Sequence, residues 1–139
     1  MADRAASAIW HGNLFDGSGT VSALSSGLFT DAGVTWASRT EAPGGKTSPE
    51  ELLAAAHAAC FCMAFSNELS TSGHPPARLD VTATATFVGG KITRMRLEVS
   101  ADVPDADEAA LQEALAAAER SCPVSNALRG NVEIETKTV

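Results

Sequence analysis

Three cysteines, Cys60, Cys62 and Cys122, are the residues whose chemistry stands out in this chain. Cys60 lies inside an apolar run from Leu52 to Phe65 that only His57 interrupts. A thiol in such a place is either a small buried hydrophobe or a nucleophile. The second use needs a depressed pKa, because the thiolate is the reactive form and apolar burial by itself raises the pKa. A cation must then come from elsewhere, and the whole chain has 10 Lys and Arg. Cys122 stands just before Pro123, at the expected start of a short helix. Unpaired N–H groups and the helix dipole favour a thiolate there. It is a turn residue or a cysteine placed to attack or resolve another sulfur.

The neighbours of Cys60 have two readings each. Cys62 is two positions on, so its side chain points about 200° away around a helix and cannot bond Cys60. His57 precedes Cys60 by three residues on the same face. It is either the base of a Cys–His pair or a core histidine bonded to backbone or a carboxylate. A zinc or copper site from His57, Cys60 and Cys122 is a rival reading, and it lacks a closely spaced Cys-x-x-Cys or a fourth ligand. Met63 and Phe65 read as core. Glu51, three after Ser48, completes a capping box, which leaves Glu50 without a local task.

These residues need elements to hold them. Ser48 as N-cap, Pro49 at the first helical position and Glu51 predict a helix from about 48 to 69, closed by Ser70-Thr71-Ser72-Gly73 and Pro75-Pro76. The helix is apolar all round, so protein should cover every face. Before it, Ala6 to Leu14, Thr20 to Ser25 and Gly33 to Arg39 read as β-type runs, with a turn at Asp16-Gly17-Ser18-Gly19. After it, Leu79 to Phe87 and Met95 to Val103 alternate with period two around Gly89-Gly90, a hairpin. A helix over Ala106 to Arg120, a short helix from Pro123 to Gly130 and a strand over Val132 to Thr136 follow. The order is α+β. Two small sheets and two shorter helices offer too little surface to enclose about six apolar turns. A second copy of the long helix would cover the rest, so a homodimer is expected.

At 139 residues the chain is one domain by length, with 45% hydrophobic residues and a net charge of −7. That balance, with a pI near 4.8, argues against nucleic acid and anionic membrane as partners. The apolar run is shorter than the ~20 residues a bilayer span needs. No apolar segment follows Met1-Ala2-Asp3-Arg4, so no export signal and a cytoplasmic location are expected. Thiols stay reduced there, which leaves a transient catalytic disulfide open and makes a structural one improbable.

The stretches Thr47-Ser48-Pro49-Glu50-Glu51-Leu52-Leu53-Ala54-Ala55-Ala56-His57-Ala58-Ala59-Cys60-Phe61 and Ser121-Cys122-Pro123-Val124-Ser125-Asn126-Ala127-Leu128 resemble the OsmC/Ohr family of thiol-dependent hydroperoxide reductases. The similarity runs along nearly the whole chain, including Trp10-His11-Gly12. The resemblance implies a single OsmC-like domain over 1–139, with two small antiparallel sheets around a long buried central helix, in an intertwined homodimer. It implies Cys60 as peroxidatic cysteine, Cys122 as resolving cysteine and Glu50 as the active-site glutamate. One branch of the family takes its arginine from the early glycine turn, but Gly17-Ser18-Gly19-Thr20 has none. The OsmC-type branch takes it from before the loop that leads to the long helix, which fits Arg39 in Ala37-Ser38-Arg39-Thr40. Cys62 is additional and receives no role.

The implied activity is reduction of organic hydroperoxides to alcohols through a Cys60 sulfenate and a Cys60–Cys122 disulfide, in oxidative or osmotic stress defence. No cofactor or metal is implied. An external dithiol restores the thiols, a lipoylated protein in the related branch. Non-catalytic dimeric ligand binding on the same fold is a further alternative. Glu50 and Cys60 lie about 15 Å apart along a helix and about 80° around it. If Arg39 and Glu50 serve Cys60, they are expected to come from a second chain.

Overall fold

The computed structural model describes residues 1–139, which fall into two compact units, Met1–Leu52 and Leu53–Val139. The first holds an antiparallel sheet of β1 (Ala6–His11), β2 (Ser18–Ala23) and β3 (Ala32–Val34), in that order. Gly19 of β2 pairs with Trp10 of β1. A Cβ at Gly19 would sit 2.5 Å from the Ile9 carbonyl oxygen and 2.7 Å from Trp10 Cε3, so only glycine lets the indole lie across β2.

The β-type run expected over Gly33 to Arg39 is corrected beyond Val34: Trp36–Thr40 forms a helix, α1. Thr35 caps it. Its hydroxyl accepts the Ser38 N–H at 3.0 Å, and the Ser38 hydroxyl accepts the Thr35 N–H at 2.9 Å. This reciprocal box overrides the β preference of Val34, Thr35 and Trp36.

The long helix α2 spans Pro49–Thr71. Ser48 caps it as expected, accepting the Glu51 N–H at 3.1 Å. The other half of the expected box is replaced, because the Glu51 carboxylate accepts the Thr47 hydroxyl at 3.0 Å.

The second unit pairs β4 (Arg78–Val88) antiparallel with β5 (Lys91–Asp102), and β6 (Glu133–Thr138) parallel with β5. This corrects the expectation of two antiparallel sheets: the second is mixed. Helices α3 (Glu108–Ser121) and α4 (Pro123–Leu128) lie between β5 and β6 in the chain, and such a helical crossover is what a parallel pairing requires. The hydrophobic core belongs entirely to this unit. Phe61, Phe65 and Leu69 of α2 meet Met95, Leu97 and Val99 of β5 and Ala114, Leu115 and Ala118 of α3.

Helix α2 is buried along one stripe, Ala54, His57, Phe61, Phe65 and Leu69, at the spacing of one helix face. Ala55, Ala56 and Ala59 are exposed, and so is Met63 at 67%. Cover on every face is therefore not achieved within one chain, because the sheet and two short helices occupy one side. By length and composition α2 also resembles a bilayer span. Its buried stripe and the hydrogen-bonded histidine at its middle mark it as a core helix.

Candidate active site

Residue Cys122 ends α3 and is the N-cap of α4, with Pro123 in the first helical position. Proline stops α3 and presets the first turn of α4, so the thiol is held at a junction of two helices. Cys122 is fully buried, whereas Cys60 on α2 is only partly so, and all three cysteines are free thiols. The Cys122 thiol and the Val124 N–H of α4 lie close enough to Cys60 to act on its ionisation.

These neighbours oppose each other. Burial pushes the Cys60 pKa up most strongly, and the Cys122 thiol adds to the rise through its hydrogen bond and its charge. The Val124 N–H works the other way by stabilising the thiolate, and the net direction is upward. These groups keep Cys60 protonated at neutral pH, so its activation as a nucleophile needs a cation.

His57 is fully buried, and its Nε2 lies 2.7 Å from Ser125 Oγ. Burial lowers its pKa, so the ring is neutral. Of the two readings left open for His57, the core histidine holds, with a hydroxyl as partner in place of backbone or carboxylate. No group of three or more His, Cys, Asp and Glu side chains is arranged to hold a metal, and His57 Nε2 faces Ser125. That ligand geometry does not fit the zinc or copper reading.

Cys62 faces different surroundings. It lines an open cleft of about 570 Å³ with Met63, Ser66, Asn67 and Arg78. Burial and the charge of Asp80 raise its pKa, and the Val81 backbone partly offsets them.

In the first unit the Arg39 guanidinium grips Glu50. Nε lies 2.9 and 3.1 Å from the two carboxylate oxygens, and Nη2 lies 2.7 Å from Oε1. Glu50 is 6% exposed, so the pair is held in partly desolvated surroundings, where a bidentate arginine fork is strong and directional. Trp36 places its ring under the guanidinium at 5.8 Å, and Phe15 meets Trp36 edge-on at 5.7 Å. Trp10, Leu14, Val34, Trp36, Arg39 and Pro49 line a cleft of about 380 Å³ with a mostly apolar wall.

Of the residues singled out from sequence, Cys60 thus meets Cys122 in one unit and Arg39 meets Glu50 in the other. Sequence reasoning missed Ser125, the Val124 N–H and the Trp36 shelf. Ser125 stands three residues after Cys122 in a short helix, but its partner is 68 positions away, and no local pattern announces that contact. The Trp36 shelf depends on α1, a segment whose residues favour strand locally.

A family model described as OsmC-like protein matches residues 42–137. The Escherichia coli (strain K12) protein named peroxiredoxin OsmC is 35% identical over 130 residues, covering 91% of this chain and 90% of its own. The organic hydroperoxide resistance protein of Xanthomonas axonopodis pv. citri (strain 306) is 35% identical over 98 residues, 67% of each chain. Among solved structures, the organic hydroperoxide resistance protein OhrB of Bacillus subtilis superposes with a TM-score of 0.76 at 26% identity, over 97% of this chain and 98% of its own.

Proposed function

We propose that this chain, which belongs to the OsmC-like family, is a thiol-dependent peroxidase that reduces organic hydroperoxides to alcohols, with residues 1–139 serving as one domain. The observation that carries this reading is the Cys122 thiol against Cys60 at the first turn of α4. The names of the relatives, peroxiredoxin and organic hydroperoxide resistance protein, support the same chemistry.

The Cys60 thiolate attacks one peroxide oxygen and the O–O bond breaks. The electron pair leaves with the alkoxide, which takes a proton to become the alcohol, and Cys60 is oxidised to a sulfenic acid. The Cys122 sulfur attacks the sulfenic acid sulfur and the S–O bond breaks; the leaving hydroxide takes the proton given up by the Cys122 thiol, releasing water and forming the disulfide. An external dithiol then restores both thiols by two exchanges and is itself oxidised; a lipoylated protein is one such dithiol. Arg39, oriented by Glu50, supplies the cation that ionises Cys60 in this reading. Defence against oxidative or osmotic stress in the cytoplasm is the setting it suits.

The working unit in this proposal is a homodimer. The first unit has no buried apolar core of its own. It leaves Ile9 58%, Leu14 48%, Phe15 71% and Leu28 82% exposed, and α2 leaves an apolar face open. A second copy would cover both. Helix rise alone separates Glu50 from Cys60 by about 15 Å, which supports an Arg39–Glu50 pair acting on the Cys60 of the other copy.

A coupled assay with cumene hydroperoxide and H2O2, using dithiothreitol and dihydrolipoamide in parallel, tests the proposal. Turnover of cumene hydroperoxide faster than H2O2, abolished in Cys60→Ser, is expected. Undiminished multi-turnover activity in Cys60→Ser overturns it.

A further inference from the structure

We infer that the buried His57–Ser125 hydrogen bond is a positioning clamp that sets the approach of Cys122 to Cys60, and so governs how readily the disulfide between them closes. This rests on the reading of the two cysteines as a redox pair and goes beyond it, since neither His57 nor Ser125 touches the peroxide in that chemistry.

The placement is regular. His57 precedes Cys60 by three residues on α2, and Ser125 follows Cys122 by three on α4. Each spacing is nearly one turn, so each polar residue stands on the same face as its cysteine, about 4.5 Å along the axis. The two helices are therefore joined by two adjacent rungs, thiol to thiol and imidazole to hydroxyl, the latter at 2.7 Å. The Val124 N–H on Cys60 lies between them in the chain.

The short helix α4 depends on such contacts. It has six residues and no side-chain cap at its N-terminus. Asn126 and Arg129 tie it to the α3 carbonyls of Arg120 and Glu119. Its first turn meets α2 through Ser125 on His57, with Cys122 and Val124 near Cys60.

The chemistry of the clamp is also constrained. His57 and Ser125 are 0% and 1% exposed, so water does not replace a broken bond. His57 Nδ1 has no partner, so Nε2···Oγ is the one polar contact that orients the ring. A bond that fixes the helices where the sulfurs meet raises the effective concentration of one thiol at the other. By linkage, closing the disulfide must strengthen the bond by the same factor.

The test uses the full chain equilibrated with reduced and oxidised glutathione, where P(SH)₂ + GSSG gives P(S–S) + 2 GSH. The fraction with a Cys60–Cys122 disulfide is read by mass after alkylation. Ser125→Ala is expected to lower the effective concentration by about three- to tenfold, the ratio one hydrogen bond is worth. His57→Gln, whose amide can donate through its nitrogen or accept through its oxygen where Nε2 stands, is expected to stay within about threefold of wild type. In a single turnover with cumene hydroperoxide, Ser125→Ala should convert the sulfenic acid to the disulfide more slowly than the wild type does.

A folded Ser125→Ala chain with the wild-type glutathione equilibrium overturns the inference. Should that variant not fold, ¹⁵N spectra of His57 in the wild-type protein decide, and an imidazole signal identical in dithiol and disulfide forms overturns it. Failure of the wild type to turn over peroxide would overturn the peroxidase reading alone, since the glutathione equilibrium requires no peroxide.

Discussion

Cys60 is a thiol whose own neighbours mostly oppose its ionisation, and that opposition can be measured. Cys122 raises the Cys60 pKa and ranks after burial and the Val124 hydrogen bond among its causes. In Cys122→Ala the Cys60 pKa should therefore fall, giving faster alkylation by iodoacetamide near neutral pH. A rise instead would mean that Cys122 stabilises the thiolate. In the proposed mechanism Arg39 acts in the opposite sense. Losing a positive neighbour disfavours a thiolate, so Arg39→Ala should shift the pH–rate profile of peroxide reduction to higher pH. Arg39→Lys should recover only part of the activity, because an ammonium cannot reproduce the fork that holds both oxygens of Glu50. An Arg39→Ala profile that matches wild type would count against the assignment.

At the scale of elements, α2 joins the chemistry to the core. Cys60 and His57 stand on the same helix as Phe61 and Phe65, whose rings meet at 6.2 Å and which are 0% and 2% exposed. Phe65→Ala should cost about 3–5 kcal/mol of stability by urea titration, the range for emptying a buried aromatic site. Because Phe65 is more than one turn from Cys60, the folded variant should keep its peroxide rate. A loss below 1 kcal/mol would mean that the core collapses to fill the space. The elements were legible to different degrees. The period-two pattern of Leu79 to Phe87 and the proline start of α2 announce themselves locally. The helix at Trp36–Thr40 does not, since a hydroxyl exchange between Thr35 and Ser38 outweighs the residues' preference for strand.

For the whole molecule, the neutral buried His57 makes stability depend on pH. Its pKa is lowered by burial, so the unfolded chain takes up its proton near the ordinary value of about 6.5 and the folded chain only at lower pH. Its contribution is fully present above that value and is lost as pH falls through the interval below it. The denaturation midpoint of the wild type should therefore drop more between pH 7.5 and 5.5 than that of His57→Gln. Equal drops would mean that the ring takes up its proton in the fold without cost.

The proposed dimer makes its own prediction. Chains carrying both Glu50→Ala and Arg39→Ala, mixed with Cys60→Ser chains under conditions of subunit exchange, should regain activity through heterodimers with one sound site. No recovery after exchange is verified by mass would place the site within one chain.

The α+β order, the long capped helix, the hairpin and the two cysteine motifs follow from the sequence alone, because each depends on residues within a few positions of one another. Capping, period-two alternation and Pro-Gly punctuation are local physics. What tertiary structure decided are the encounters between distant positions. These are the parallel entry of β6 beside β5, the grip of Arg39 on Glu50, and the bond between His57 and Ser125. Burial was decided there too. The composition of α2 predicts an apolar surface all round, but how much of it is covered depends on the area its neighbours present, and within one chain that area covers a single stripe.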